Sequence, residues 1–480
     1  MIAEQLNLEG TNKEGWISGV ADMVLQNQQS NGIDLAVAFP APQSIFSADQ
    51  NVRGSGEQPQ NIYKNVLKLK GGILTCYGFH EEVGRAERYD RSLENKLAQI
   101  LEDANPDIVH CFGTEYPHTL AMCRVFPDKK RLLISVQGIC TLYARAYFSD
   151  LPEKVIKRVT LRDYLRRDSL VEQQQKFVQR GIMEKEAVTL AGNVAGRTEW
   201  DRDCIRGWNK NARYFNANEI LRSEFYGPKW EADKCIPHSI FLSQGDYPIK
   251  GLHYMLLAMP AILSGYPDAH LYVAGNSIVD YRTLKQKLKI SSYGKYLRKL
   301  MKENRLQDKV TFLGRLNAEQ MRDRYLNSSL FVCCSSIENS PNSLGEAMLL
   351  GMPCVTADVG GIPSLFTDGE DGIMYEGYRE DEDDIINKGY RDGGDGTMYE
   401  GHRDGGEGIM NEDFRVGKGS DKDLINISRR LSEAVIDMWS DPEKQKMYCE
   451  NARQHAGRTH CRERNYSGLI EIYGQILSDE

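Results

Sequence analysis

Residues 330–350 read Leu-Phe-Val-Cys-Cys-Ser-Ser-Ile-Glu-Asn-Ser-Pro-Asn-Ser-Leu-Gly-Glu-Ala-Met-Leu-Leu, and this stretch decides the fold. Leu330–Ser336 is an apolar run of buried-strand type, bounded by a polar turn. Pro341 keeps the backbone out of a helix until it has passed, and Asn342 or Ser343 is expected to cap a helix through Leu350. Gly351 ends that helix and Pro353 stops it from resuming. A strand, a loop and a helix N-terminus in that order present free N–H groups and the positive end of a dipole to an anion. A diphosphate is the natural occupant. Glu338 lies before the loop and Glu346 about one turn into the helix. Carboxylates repel phosphates, so both are placed to accept hydrogen bonds from hydroxyls on either side of one.

The same alternation of short strands and helical segments runs through the chain, as βαβ units and parallel sheets require. In the first half, Leu35–Phe39, Asp107–Cys111 and Leu132–Val136 are expected strands. Ser239–Ser243 opens a second series, followed by a helix of Leu252–Leu263 type and strands at His270–Ala274, Val310–Leu313, Leu330–Cys334 and Cys354–Ala357. Two doubly wound α/β domains result, residues 1–235 and 236–455, with a C-terminal helix at 456–480 completing the first. Ligands of such sheets bind at the carboxyl ends of the strands, which points to the cleft between the domains.

Composition narrows the function classes. The 480 residues fit two cores, and a net charge of −8 gives a nucleic-acid partner no electrostatic support. Eleven cysteines without metal-type spacing indicate reduced thiols, and no apolar run reaches the length of a membrane span. The expected location is cytoplasmic, with peripheral contact at the inner face of a plasma membrane as an option. Residues 378–419 break the pattern: Met374-Tyr375-Glu376-Gly377 returns as Met398-Tyr399-Glu400-Gly401, within an insert of 10 glycines, 12 acids and 6 bases. Such a segment buries too little surface to order itself. It reads as a duplicated surface loop, and its carboxylates do not have the spacing of a calcium loop.

Glu338 and Glu346 have the E-x7-E spacing, and Gly351-Met352-Pro353-Cys354-Val355, Gly360-Gly361-Ile362-Pro363 and Asp368-Gly369-Glu370-Asp371-Gly372 follow. Together these resemble the family-four retaining glycosyltransferases, in particular those of bacterial capsule and exopolysaccharide assembly. The resemblance spans most of the chain and is weakest in the first 12 residues and the 378–419 insert. It implies a GT-B fold, two Rossmann-like domains facing a cleft, and transfer of a sugar from a UDP- or GDP-linked donor to a glycan or polyprenyl-linked glycan. It implies no cofactor and no metal. Glu338 would hold the donor sugar, Glu346 the ribose, and the amides of Asn342, Ser343 and Leu344 the diphosphate.

Upstream, Ser243-Gln244-Gly245-Asp246-Tyr247-Pro248-Ile249-Lys250-Gly251 matches the family's phosphate-contacting loop at Lys250 but carries Gln244 where an arginine is usual. Arg197 and Arg222, near the domain junction, are candidates for the missing charge. Gly15 resembles the glycine loop of the first domain, although Glu14 replaces its companion; a plain turn is the other reading. Gln137 occupies the place of a donor-contacting histidine. A retaining front-face mechanism, in which the departing phosphate oxygen takes the acceptor's proton, does not need proton transfer there. His118, in the loop beginning at His110, can bind an acceptor hydroxyl or simply pack. Between Lys154 and Asp168 six Lys/Arg interleave with apolar residues, as on a helix resting against anionic lipid or on a solvated surface. Two rivals remain: a nucleotide-sugar epimerase of the same fold, which Gln137 disfavours, and a non-catalytic nucleotide-sugar-binding partner, which Gln244 and Glu14 favour.

Overall fold

A computed structural model describes residues 15–48, 62–69, 71–279, 283, 288–379 and 421–478. Three sheets organise them. In the first, β1 (Leu35–Pro40) runs parallel to β3 (Gly72–Phe79), which pairs antiparallel with β2 (Ile62–Leu69). The second is fully parallel, in the order β4 (Val109–Phe112), β5 (Leu132–Ser135), β6 (Asn193–Gly196), β7 (Arg213–Asn216).

The third sheet follows a fresh start at β8 (Ile236–Leu242). It continues with β9 (His270–Ala274), β10 (Val310–Gly314), β11 (Ser328–Cys333), β12 (Cys354–Asp358) and β13 (Ile373–Glu376). All pair parallel in the order β10-β9-β8-β11-β12-β13. The order reverses at β8, and β11 next to it is buried along its whole length. β11 therefore delivers its following loop to the switch point of a doubly wound sheet, where ligands bind.

The expected strands of the second half fall within three residues of the observed ones, β8 beginning three residues early, and β13 was not anticipated. In the first half the β2–β3 hairpin was not anticipated, and the strands there are divided between two sheets. The eleven cysteines are all free. The insert repeat lies outside the described residues from 380 onward, so the duplicated-loop and calcium readings are not addressed.

The C-terminal helix Arg462–Ser478 crosses back to the first half of the chain. Its Tyr466 packs with Met23, Val24 and Ile220, and its Ile472 and Ile476 pack on Leu133 of β5 and Ala195 of β6. Burial of each such isoleucine contributes at most about 1.5–3 kcal/mol, so this seam is an appreciable tie between the halves. Tyr473 adds a polar pin, bonding His110 Nδ1 at 2.8 Å. Burial pushes His110 down to about 3, so the ring stays neutral and serves as a structural bridge to Ser135.

Candidate functional site

The helix Asn342–Leu350 begins one residue earlier than a cap at Asn342 would have it. Pro341 is the N-cap, in an extended conformation and with no side-chain cap. The Leu344 amide donates to the Pro341 carbonyl at 2.9 Å. Among the described residues, the amides of Asn342 and Ser343 have no hydrogen-bond acceptor, and these two remain open to an anion. Leu344, expected beside them, has its N–H engaged in this state.

Glu338 is buried at the mouth of the same loop. Its Oε1 accepts from Lys250 Nζ at 2.5 Å and from Ser335 Oγ at 2.7 Å. Burial works against the Lys250 charge, but Glu338 outweighs it and holds the ammonium well above the ordinary lysine range. Gly251 makes the turn after Lys250 with φ of +71°, and a Cβ there would stand 1.8 Å from the Cys334 carbonyl oxygen. The reason for Gly360-Gly361 is equally local. A Cβ on Gly360 would meet the Glu338 carbonyl at 2.1 Å, and one on Gly361 the Asn339 carbonyl at 2.3 Å. The two glycines let one loop lie directly against the backbone that carries Glu338.

Glu346 is buried and gripped by Arg222, whose Nε and Nη2 donate to its two oxygens at 2.7 Å each. Burial pushes the carboxyl up while the guanidinium opposes it. Arg197 is equally engaged: it pairs with Glu219 and donates to the Gln137 carbonyl at 2.9 Å. In this state each arginine charge is matched by a buried carboxylate, as the Lys250 charge is by Glu338. Gln244 turns its amide to Asp246 at 2.9 Å. Asp246 also accepts from Asn276, whose side-chain oxygen in turn accepts from Arg315 at 2.8 Å. Arg315, exposed at the end of β10, is the cation at this edge that the sequence reading missed.

On the first domain, Gln137 donates to Glu219 at 3.0 Å. His118 is the second residue of the helix Pro117–Val125 and bonds Glu81 at 2.7 Å, stacked on Tyr116. Gly15 opens the helix Gly15–Gln26; the loop before it lies outside the described residues.

Asn339 was also overlooked, although it adjoins Glu338 in the motif. Its side-chain oxygen accepts from Thr198 at 2.7 Å, and its amide donates to Asp201 at 2.9 Å and to the Gln137 carbonyl at 3.0 Å. Ser149 and Ser336 meet at 2.7 Å nearby. The two halves thus touch at the base of the candidate site. Nothing in the sequence pattern distinguishes Asn339 from any polar loop residue, since its partners are over a hundred positions away.

Behind this wall lies a buried carboxyl, Glu184, which accepts from Thr114 Oγ1 at 2.6 Å and the Cys140 amide at 2.7 Å. Burial pushes it up to about 8. Among the described residues no group of three or more His, Cys, Asp or Glu is placed to hold a metal ion.

Residues 237–388 match the family described as Glycosyl transferases group 1. The N-acetyl-alpha-D-glucosaminyl L-malate synthase of Bacillus anthracis is 33% identical over 295 residues, 60% of this chain and 66% of that protein. Other curated relatives are matched over only 31% to 38% of their own length. Among solved structures, sucrose-phosphate synthase of Thermosynechococcus elongatus is similar with a TM-score of 0.57 at 13% identity, over 96% of this chain and 93% of that one. Anabaena HepE in complex with UDP-glucose also reaches 0.57, at 12% identity over 97% and 98%. At such identities the likeness is one of fold, and the fold is GT-B.

Glu184 gives a signed pH dependence. Its folded-state value lies above the ordinary 4.5, so the folded chain keeps a proton that the unfolded chain releases. Stability from this group is full below its unfolded value and drains as pH rises toward about 8. The thermal midpoint of Glu184→Gln should therefore fall less than that of the wild type between about pH 5 and 8.5. Parallel profiles would contradict the assignment.

Proposed function

Through residues 237–388 the chain belongs to the group 1 glycosyl transferases, and from that premise we propose that it moves a sugar from a nucleotide-diphosphate donor to a glycan or lipid-linked glycan. The reading includes retention of anomeric configuration, no requirement for a metal, and a place in cell-surface polysaccharide assembly. The observation that carries it is the Lys250–Glu338 pair at 2.5 Å beside the open N-terminus of the Asn342–Leu350 helix, with Glu346 one turn further in.

In this reading the diphosphate takes the Asn342 and Ser343 amides. Lys250 has three N–H donors, of which Glu338 uses one, so the ammonium can also meet the leaving phosphate. A charge-assisted contact of that type is worth about 1.5–3 kcal/mol, and it counts most where charge develops on the departing oxygen. Glu338, fixed by Ser335 and Lys250, offers its remaining lone pairs to hydroxyls of the donor sugar. Glu346 has about four acceptor positions, of which Arg222 fills two, leaving room for the ribose hydroxyls. The bond from the anomeric carbon to the diphosphate breaks, the bond to the acceptor oxygen forms on the same face, and the acceptor proton passes to the leaving phosphate oxygen. Gln137 is compatible with this scheme because no side chain has to serve as base. HepE, whose structure contains UDP-glucose, supports a uridine donor by likeness of fold.

The segment 154–168 supports a membrane-associated acceptor. Val159, Leu161, Tyr164 and Leu165 are 56%, 54%, 73% and 71% exposed, an unusual density of bare apolar side chains. Of the two acids there, Asp163 is buried and accepts from the Ser292 amide at 2.9 Å, while Asp168 pairs with Arg162 and Lys176. Among the described residues, Lys154, Arg158, Arg166 and Arg167 form no ion pair, so the outward charge is basic. Apolar tips rimmed by cations fit the interface of an anionic bilayer. No described helix is long and apolar enough to cross a membrane.

Two outcomes test these readings. Glu346→Gln and Glu346→Ala should weaken UDP or GDP binding about tenfold or more in a titration, whereas Glu338→Ala should chiefly lower turnover. Unchanged nucleotide affinity in both Glu346 variants would remove the ribose role. Vesicles of phosphatidylcholine with phosphatidylglycerol should sediment the protein, in a salt-sensitive way that Tyr164→Ser with Leu165→Ser abolishes. Equal sedimentation of the double variant would remove the membrane role.

A further inference from the structure

The loop after β4 carries a carboxylate that the roles above do not use. Glu115 is half-buried; its backbone carbonyl accepts from Arg180 Nε at 2.9 Å, and the Gly138 amide, on the loop after β5, acts on its carboxyl. Space for it comes from Gly113, whose φ is +89°; a Cβ there would stand 2.7 Å from Glu115 Oε2 and 3.6 Å from Gln137 Cγ. Glu115 and Gln137 therefore share one patch at the carboxyl ends of two adjacent strands. Tyr143 stands beside them, on the helix Cys140–Arg145. Its ring lies against Gly138, 3.0 Å from where a Cβ would be, and it stands in the electrostatic field of both Glu115 and the Lys250–Glu338 pair.

The chemistry of this patch selects its ligand. A carboxylate has no donor and repels phosphate. Burial pushes the Glu115 carboxyl up, while Arg180 and Arg197 act in favour of its charged form, so a cationic ligand would be repelled by them in turn. A neutral group bearing O–H donors fits both conditions. The Tyr143 ring supplies a flat apolar face beside the carboxylate, the combination that sugar rings need: one face to pack, and edges to hydrogen-bond.

We infer that Glu115 and Tyr143 form the subsite for the glycosyl acceptor, Glu115 receiving a hydroxyl of the acceptor sugar and Tyr143 supporting its ring opposite Lys250 and Glu338. This assignment rests on the transferase reading. Glu115 is a binding group and not a base: the reacting hydroxyl still sends its proton to the leaving phosphate oxygen. Glu115 fixes a second hydroxyl and so sets which position of the acceptor is presented.

The test uses the full chain, with UDP-glucose, UDP-N-acetylglucosamine and GDP-mannose as donors, n-octyl β-glycosides of glucose, galactose and N-acetylglucosamine as acceptor probes, and UDP and GDP as binding probes of the donor site. Glu115→Gln should raise the KM for the accepted octyl glycoside at least tenfold while the Kd for UDP stays within twofold, and Glu115→Asp should restore part of the loss. Tyr143→Phe should act mildly and Tyr143→Leu strongly, again on acceptor KM. An unchanged acceptor KM, or a UDP affinity falling in step with it, would overturn the subsite. So would a wild-type chain that binds UDP and transfers to none of the three glycosides. A wild-type chain that binds neither UDP nor GDP would instead remove the transferase reading beneath it.

Discussion

The Glu338–Asn339 pair is the joint on which the rest of the molecule depends. One residue turns into the second domain, where Lys250 and Ser335 hold its carboxylate. The next turns into the first domain, where Thr198, Asp201 and the Gln137 carbonyl satisfy every polar atom of its amide. Both side chains are buried, so neither can rely on water, and each would be costly to leave unpaired. The relative placement of the two sheets at this point is thus encoded in two adjacent side chains. Gly360 and Gly361 complete the joint by letting the chain pass behind it without a Cβ.

A second constraint is charge matching. Lys250 with Glu338, Arg222 with Glu346 and Arg197 with Glu219 are pairs in which every carboxylate is buried, the Arg197 pair wholly so. Pairs of this kind contribute little net stability, because desolvation cancels much of the attraction, but removing one partner is expensive. Their value here is positional. Each carboxylate is aimed by its cation and still has lone pairs left for a hydroxylated ligand. At another edge of the sheet Gln244 is joined through Asp246 and Asn276 to Arg315.

Much of this was legible in the sequence, and the boundary has a physical cause. β11, the loop at Pro341 and the helix to Leu350 are dictated by local rules, an apolar run, a proline and a terminal glycine, so this segment could be read directly. The helix start differed by one residue because Pro341 itself serves as the N-cap. Asn339, Glu115 and Tyr143 were not legible, since their significance lies in contacts with residues far away along the chain. The engagement of Arg197 and Arg222 was hidden for the same reason: a sequence shows a cation, not the carboxylate that neutralises it. The β2–β3 hairpin is marked by Gly71-Gly72 at the start of its second strand, a turn signal that the periodicity reading passed over.

The central claim is that a nucleotide-diphosphate sugar is held between these paired charges and an open helix N-terminus, with protein groups alone balancing the diphosphate. Its most direct test is titration and turnover with a panel of UDP-, GDP- and ADP-sugars in the presence of EDTA. The account predicts saturable binding of at least one member, with release of the nucleoside diphosphate continuing in EDTA. Binding and turnover that vanish with the chelator, or no binding by any member, would contradict it.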